Sequence, residues 1–420
     1  MGEDDVAVTE APKYDLYGDD FRAATYETFA RMRAEDPVCR QPGADGKRML
    51  WFVSGYDDVV SILLDDERFV RDPALALPAD ELAAYDKGAD VFRFIDTHML
   101  NREGDEHRRL RRLVSRTFTP RMVERLRPRI QEIADTLLDA VEPRREMDLV
   151  EEFAFPLPIT VIAELLGIPV ADRDRFREWS NVIVSRALIR DDMNTFRAQM
   201  EEFVDYLRRL FAQRRGTPGD DLISALLRVE DTDDTLSEPE LSSTVVLLII
   251  AGHETTVSLI GNAVLVLLRH PEQRAQLERD GTILGAAIEE LVRYEGPVER
   301  ALHRWASEDV VLGGKTIRRG DGVIAILGSA NRDPAQFACP DELDLTRRDN
   351  QHVGFGRGSH YCLGAPLARL ETEIALSTLL RRLPGLRLRV SVRELRWRPV
   401  PLFRSLVSLP VAWDAPSVSA

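Results

Sequence analysis

The run Phe355-Gly356-Arg357-Gly358-Ser359-His360-Tyr361-Cys362-Leu363-Gly364 presents a single cysteine from a glycine-rich loop. Downstream, residues 363–383 carry Leu367, Leu370, Ile374, Leu376, Leu379 and Leu380 at helical spacing. Cys362 therefore stands at, or just before, a helix N-terminus. There the unpaired backbone N–H groups and the positive end of the helix dipole favour thiolate over thiol, the form that ligates a metal. Gly356, Gly358 and Gly364 lack a Cβ, which lets the backbone turn sharply and approach a flat cofactor closely. The plain alternative for any one cysteine is an inert buried thiol.

Three further groupings have the residue types for chemistry. In the long apolar segment 237–270, Ala251-Gly252-His253-Glu254-Thr255-Thr256 puts a carboxylic acid beside an alcohol. A carboxylate without partners is expensive to bury, so the pair calls for a purpose. The alternative for Thr255 is a hydroxyl bonded to a carbonyl of its own helix. Glu290-Leu291-Val292-Arg293 spaces an acid and a base at i and i+3, on one helix face. The basic stretch 106–114 places His107 and Arg111 one turn apart, interleaved with Arg108, Arg109 and Arg112. Rigid guanidinium forks of this kind suit carboxylates.

Together these motifs resemble the cytochrome P-450 family. The cysteine run matches that family's F-G-x-G-x-H-x-C-x-G haem loop, segment 251–255 its A-G-x-[DE]-T, Glu290/Arg293 its E-x-x-R, and His107/Arg111 its H-x-x-x-R. The resemblance implies a mainly α fold with a smaller β-rich part and a long central helix over haem. It implies haem b with Cys362 as the axial iron ligand, and Phe355, Gly356 and Gly364 shaping the loop around it. His107, Arg111, Arg304 and His360 are the implied propionate contacts. Ala251 and Gly252 open a groove for O2, and Glu254 and Thr255 relay protons to it. Glu290 and Arg293 form a buried structural pair. Many relatives add an Arg in the meander before the cysteine, but Glu342 stands there in Cys339-Pro340-Asp341-Glu342-Leu343, which leaves Arg332 or Arg347 as the third partner.

The elements that position these groups are legible in outline. Ser237 and Glu240 form a capping-box signature, Pro239 falls in the first turn and Pro271 follows the far end, so 237–270 reads as one helix. At 1.5 Å per residue it spans roughly 45 to 50 Å. His253 to Thr256 fall in its middle, where ionisable groups are costly in lipid, which favours a soluble core over a membrane span. Helical patterns cover 120–141, 172–186 and 193–215. Strand signals occur at 50–53 and at 310–312, turning through Gly313-Gly314 into 315–317. One domain over 15–413, with polar tails at 1–14 and 414–420, accounts for the pattern.

The 420 residues are 44% hydrophobic and 30% charged, an ordinary globular composition, and the net charge of −15 argues against general nucleic-acid binding. Cys39, Cys339 and Cys362 offer no C-x-x-C spacing, which excludes a zinc site and a disulfide framework and fits a reducing cytoplasm. The acidic N-terminus lacks a secretory signal, and Val6 spoils a myristoylation site. No G-x-G-x-x-G fingerprint is present, so reducing equivalents from NAD(P)H must arrive through external redox proteins. By resemblance these are ferredoxin and ferredoxin reductase, docking on the thiolate side against Arg108, Arg109, Arg112 and Arg357. The expected protein is a monomeric monooxygenase that hydroxylates or epoxidises a large apolar small molecule, similar to macrolide and other natural-product tailoring enzymes. An H2O2-dependent peroxygenase and a non-catalytic haem sensor or ligand-binding protein are the rivals. The implied substrate pocket involves Leu248, Ala251, Val298, Leu302, Leu402 and Phe403, with loops 75–100 and 182–193. Asp80, Glu81, Asp86 and Asp90 make the first of these loops acidic.

Overall fold

The computed structural model describes residues 12–46, 48–85, 97–176, 178–179, 193–228 and 235–415. The expectations for Asp86, Asp90 and 182–192 lie outside them. The chain forms two compact units: Met1–Lys87 with Glu289–Cys362 and Trp397–Arg404, and Gly88–Ile288 with Leu363–Arg396 and Ser405–Ala420.

The first unit is built on a five-stranded sheet in the order Val38–Pro42, Met49–Val53, Gly322–Ala325, Arg304–Ala306, Phe69–Val70. Only the pairing of Met49–Val53 with Gly322–Ala325 is parallel. Its apolar face carries Val53, Phe69, Val323 and Ala325, packed on Val59, Ile62 and Leu63 of helix Tyr56–Leu64. The hairpin Val310–Leu312 to Lys315–Ile317 forms as the sequence predicts. Gly313 and Gly314 supply φ values of +54° and +74°, as a tight two-residue turn requires. Tyr14, on the tail side of the predicted boundary, is buried: its backbone exchanges hydrogen bonds with the Gln41 amide at 3.1 and 3.0 Å.

Helices dominate the second unit. The long helix runs Glu238–Arg269, 32 residues, and its capping box is complete: the Ser237 amide donates to the Glu240 carboxylate at 2.8 Å, and Ser237 Oγ accepts from the Glu240 amide. By length and composition it is apolar enough to cross a membrane, yet 78% of its most apolar stretch is buried in the fold. It packs against helices Pro156–Leu166 and Ala365–Arg382. The predicted helix at 120–141 is two helices, Pro120–Arg125 and Arg127–Val141. Pro128 has no N–H and its ring clashes with the carbonyl of residue 124, so it is accommodated only in the first turn of a new helix. A three-stranded antiparallel sheet, Glu146–Asp148, Pro410–Ala412, Arg387–Leu388, completes this unit.

Candidate active site

Within the first unit the cysteine loop is closed by its own backbone: the Gly356 amide donates to Val353 O at 2.8 Å and the Cys362 amide to Phe355 O at 2.9 Å. Gly356 and Gly358 are left-handed, at φ +71° and +73°, and a Cβ on Gly358 would stand 2.7 Å from the Leu63 carbonyl. Glycine is therefore demanded at 358 by both conformation and space. Gly364, at φ −79°, needs no left-handed freedom and serves as the cap of helix Ala365–Arg382. Cys362 forms no disulfide and is half-buried. Cys39 is buried, which pushes its thiol pKa up, and Cys339 is exposed in a separate turn. A half-buried thiol on a loop of left-handed glycines, two residues before a helix cap, fits a haem-iron ligand; the other two cysteines do not.

Glu290 and Arg293 are fully buried and bind in a two-point fork, at 2.7 and 2.8 Å. The third partner is Arg347, whose Nε lies 3.1 and 3.3 Å from the two Glu290 oxygens. The Asn350 side chain and the Asp344 amide complete the carboxylate at 3.2 and 3.0 Å. Glu342 takes part only through its carbonyl, which accepts from Arg293 and Arg347. Arg332 serves elsewhere, stacked 3.7 Å over Tyr294 and paired with Asp341 at 2.9 Å. A Cβ on Gly354 would meet Val292 at 2.5 Å, so the base of the cysteine loop rests on the turn that carries this pair.

Arg304 is buried in the sheet, donating to Phe69 O at 2.9 Å with Asp66 at 3.5 Å. Its neighbour His303 stacks on Trp305, and burial with nearby Arg71 lowers its pKa to about 4, so the ring is neutral. His360 ends the short turn Gly358–His360 and is half-buried. Arg357 donates to Tyr56 Oη and Gln351 O, both at 3.0 Å. Val298 and Phe403 form an antiparallel bridge, supported by Glu299 N donating to Leu402 O at 3.0 Å. Leu302 is exposed at 37%.

In the second unit, helix Gly104–Thr117 buries His107, Leu110 and Val114 on one face, and Arg111 is half-buried one turn beyond His107. Leu110 meets Leu247 of the long helix in a small apolar cluster with Met99, which orients that face. Arg109 is paired with Glu240, the carboxylate of the capping box, and Arg108 with Asp105, while Arg112 is exposed. On the long helix, Leu248 is half-buried and Ala251 exposed one turn on. A Cβ on Gly252 would touch only Ile162, at 3.7 Å, so neighbouring protein atoms leave space there. Glu254 is 3% exposed. Thr255 Oγ1 donates to Ala251 O at 2.7 Å, Thr256 Oγ1 to Gly252 O at 3.2 Å, and Ser258 Oγ to Glu254 O at 2.9 Å. The self-bonded alternative for Thr255 is thus the geometry observed, and it leaves the Oγ1 lone pairs to accept.

A second carboxyl group escaped sequence reasoning. Glu371, from helix Ala365–Arg382, is 1% exposed beside the Thr256 hydroxyl, and burial raises its pKa well above the usual carboxylate value. Its Oε2 has no hydrogen-bond partner. The available signal was its position, four residues after Leu367 and three before Ile374, on the apolar stripe of that helix.

The cytochrome P450 family profile matches residues 44–386. The chain is 45% identical to cytochrome P450 monooxygenase PikC of Streptomyces venezuelae, over 94% of this chain and 92% of that one. It is 42% identical to mycinamicin IV hydroxylase/epoxidase of Micromonospora griseorubida, over 92% and 94%. Among solved structures, myxobacterial cytochrome P450 CYP267B1 in complex with myristic acid superposes with a TM-score of 0.89 at 46% identity, covering 96% of this chain and 99% of that one. This chain belongs to the cytochrome P450 family and is an oxidoreductase, a monooxygenase working with haem b, O2 and electrons that originate in NAD(P)H.

Proposed function

We propose that this enzyme hydroxylates or epoxidises a large apolar natural product of the macrolide type, and that Cys362 would ligate the haem iron through its sulfur. The observation that carries the ligand assignment is the loop itself, with its half-buried cysteine outside any disulfide and two left-handed glycines. Bound haem supplies the activation of O2 and the transfer of one oxygen atom to substrate, at the cost of two electrons and two protons. Cys362 Sγ, as thiolate, donates electron density to the iron. Arg304 and His360 of the first unit, and His107 and Arg111 of the second, would be the contacts of the haem propionates. Asp66 lies 3.5 Å from the Arg304 guanidinium.

Proton handling falls to the long helix. Glu254 exchanges a proton with solvent through its carboxyl oxygens, and Thr255 Oγ1, already donating to Ala251 O, accepts it for relay. Burial favours the protonated form of Glu371, in which its O–H can donate to Thr256 Oγ1 and hold a proton in reserve one residue from Thr255. Val298, Leu302, Leu402 and Phe403 of the first unit, and Leu248 and Ala251 of the second, are the residues this reading assigns to substrate contact. The 42% identity to a mycinamicin IV hydroxylase/epoxidase supports the substrate class.

Electrons reach the enzyme from a ferredoxin and its reductase, and Arg112 and Arg357 are the docking cations in this reading. Arg108 and Arg109, paired with Asp105 and Glu240, belong to the same cationic surface. That Cys39, Cys339 and Cys362 form no disulfide accords with a reducing cytoplasm, and the enzyme in this reading is a monomer. Optical titration of the ferric protein with macrolides, macrolactones, steroids and terpenoids tests the substrate class. A saturable Soret shift with macrolactones alone is expected, and saturation only by steroids or terpenoids rejects the macrolide assignment.

A further inference from the structure

Val298 and Phe403, the paired residues of the proposed pocket wall, are each followed by a buried charge. Glu299 and Arg404 are 3% and 7% exposed, and alternation along extended chain turns them away from the side that Val298 and Phe403 present. Both converge on Arg22, from the five-residue helix Asp19–Ala23. Arg22 Nη1 donates to Glu299 Oε2 at 2.9 Å, across 277 residues of sequence. Its Nη2 donates to the Val400 carbonyl, just before Leu402. In return, Arg404 Nη1 donates to the Arg22 carbonyl at 2.9 Å and to Thr25 Oγ1 at 3.1 Å, while its Nε reaches Glu295 at 2.8 Å. The strands themselves are joined by Arg404 N donating to Pro297 O at 2.9 Å.

This is a costly way to hold two short segments. Arg22 Nε, Glu299 Oε1 and Arg300 Nε and Nη1 are buried without hydrogen-bond partners. A well-packed apolar pair fills the same space with no desolvation penalty, so a buried ion pair of this kind contributes register more than stability. One guanidinium gripping a side chain of one segment and a carbonyl of the other sets their offset, because the planar fork is rigid.

We infer that Arg22 is a positioning residue for the substrate pocket: through Glu299 and the Val400 carbonyl it sets the register of Val298 against Phe403, and with it the discrimination of ligands by bulk. The inference rests on the reading of Val298 and Phe403 as pocket wall. It is tested on the haem-loaded protein by titrating the ferric form with imidazole and with clotrimazole, in wild type, Arg22→Met, Arg22→Lys and Glu299→Gln. Imidazole affinity is expected to stay within about twofold, while clotrimazole affinity shifts by about tenfold in Arg22→Met and Glu299→Gln, the scale on which hydrophobic pockets discriminate small changes of shape. Arg22→Lys recovers part of that shift. Equal shifts for both azoles, or none for clotrimazole, overturn the inference.

Two controls separate it from fold loss and from failure of the pocket reading. The double variant Arg22→Met/Glu299→Met is expected to regain thermal stability yet keep the altered discrimination; wild-type discrimination in it counts against a register role. Amide exchange at Glu299 and Arg404 rises about tenfold in Arg22→Met if the clamp holds these strands, and unchanged exchange contradicts it. Val298→Ala and Phe403→Ala probe the wall directly. If they leave clotrimazole affinity unaltered, the pocket reading fails; if they shift it while the Arg22 variants do not, only the clamp fails.

Discussion

Cys362, Thr255 and Glu371 carry distinct parts of the proposed chemistry, and each can be challenged singly. Cys362→Ser is expected to lose the thiolate signature of the ferrous carbon monoxide complex, read as displacement of its Soret band from the wild-type position. Retention of the band would place the ligand elsewhere. Thr255→Ala removes the acceptor Oγ1 and is expected to divert a large share of the electrons consumed into hydrogen peroxide, measured as product formed per NAD(P)H oxidised; fully coupled turnover removes Thr255 from the relay. For Glu371 the sign follows from burial. Its folded-state pKa lies above the unfolded value, so the unfolded state loses its proton first and stability falls as pH rises from the ordinary carboxyl range toward the folded pKa. Glu371→Gln has no such proton to lose. Denaturant unfolding should therefore show the variant gaining on wild type as pH rises above the ordinary carboxyl range, and parallel curves would mean that burial does not raise the Glu371 pKa.

At the scale of elements, the carboxylate of Glu290 is the joint between a helix turn and the meander that precedes the cysteine loop. Arg347→Met withdraws one of its two cations while Arg293 keeps the other, and is expected to cost about 2 kcal/mol in unfolding free energy, the order of a charged hydrogen bond. Arg332→Met leaves Glu290 untouched, so the bound haem's resistance to extraction should fall in the Arg347 variant more than in the Arg332 variant. His303 is the element-level pH sensor of the sheet. Its folded pKa of about 4 lies below the ordinary histidine value of 6.5, so the unfolded chain takes up the proton first and stability is lost as pH falls through that window. The full difference is about 3 kcal/mol at 1.36 kcal/mol per unit, and His303→Phe, which keeps the ring stacked on Trp305, is expected to flatten the acid limb of the unfolding curve.

For the whole molecule, a net charge of −15 sets the long-range field against an acidic partner, so docking must rely on a local cationic surface. Arg112 is exposed on the basic helix, whereas Arg109 is tied to Glu240 at the start of the long helix. Arg112→Glu should slow ferredoxin-supported turnover several-fold and spare peroxide-supported turnover, with the difference shrinking as ionic strength rises. Equal rates with ferredoxin would remove Arg112 from the docking surface.

What the sequence determined by itself is what short-range chemistry controls. The capping box of the long helix, the Gly313-Gly314 turn and the left-handed glycines before Cys362 each depend on residues a few positions apart, so their types and spacing suffice. The same holds for the fork of Glu290 and Arg293, three residues apart on one helix. The tertiary structure alone decided which side chains meet across long stretches of chain. Arg347 rather than Arg332 reaches Glu290 from 57 residues away, and Arg22 reaches Glu299 from 277. Glu371 had the position of a core residue but the charge of a surface one, and only the burial of its helix against the Thr256 turn resolves the conflict in favour of a neutral acid. Periodicity records which face of an element is covered; it does not record by what, because the covering group is chosen by how the chain returns.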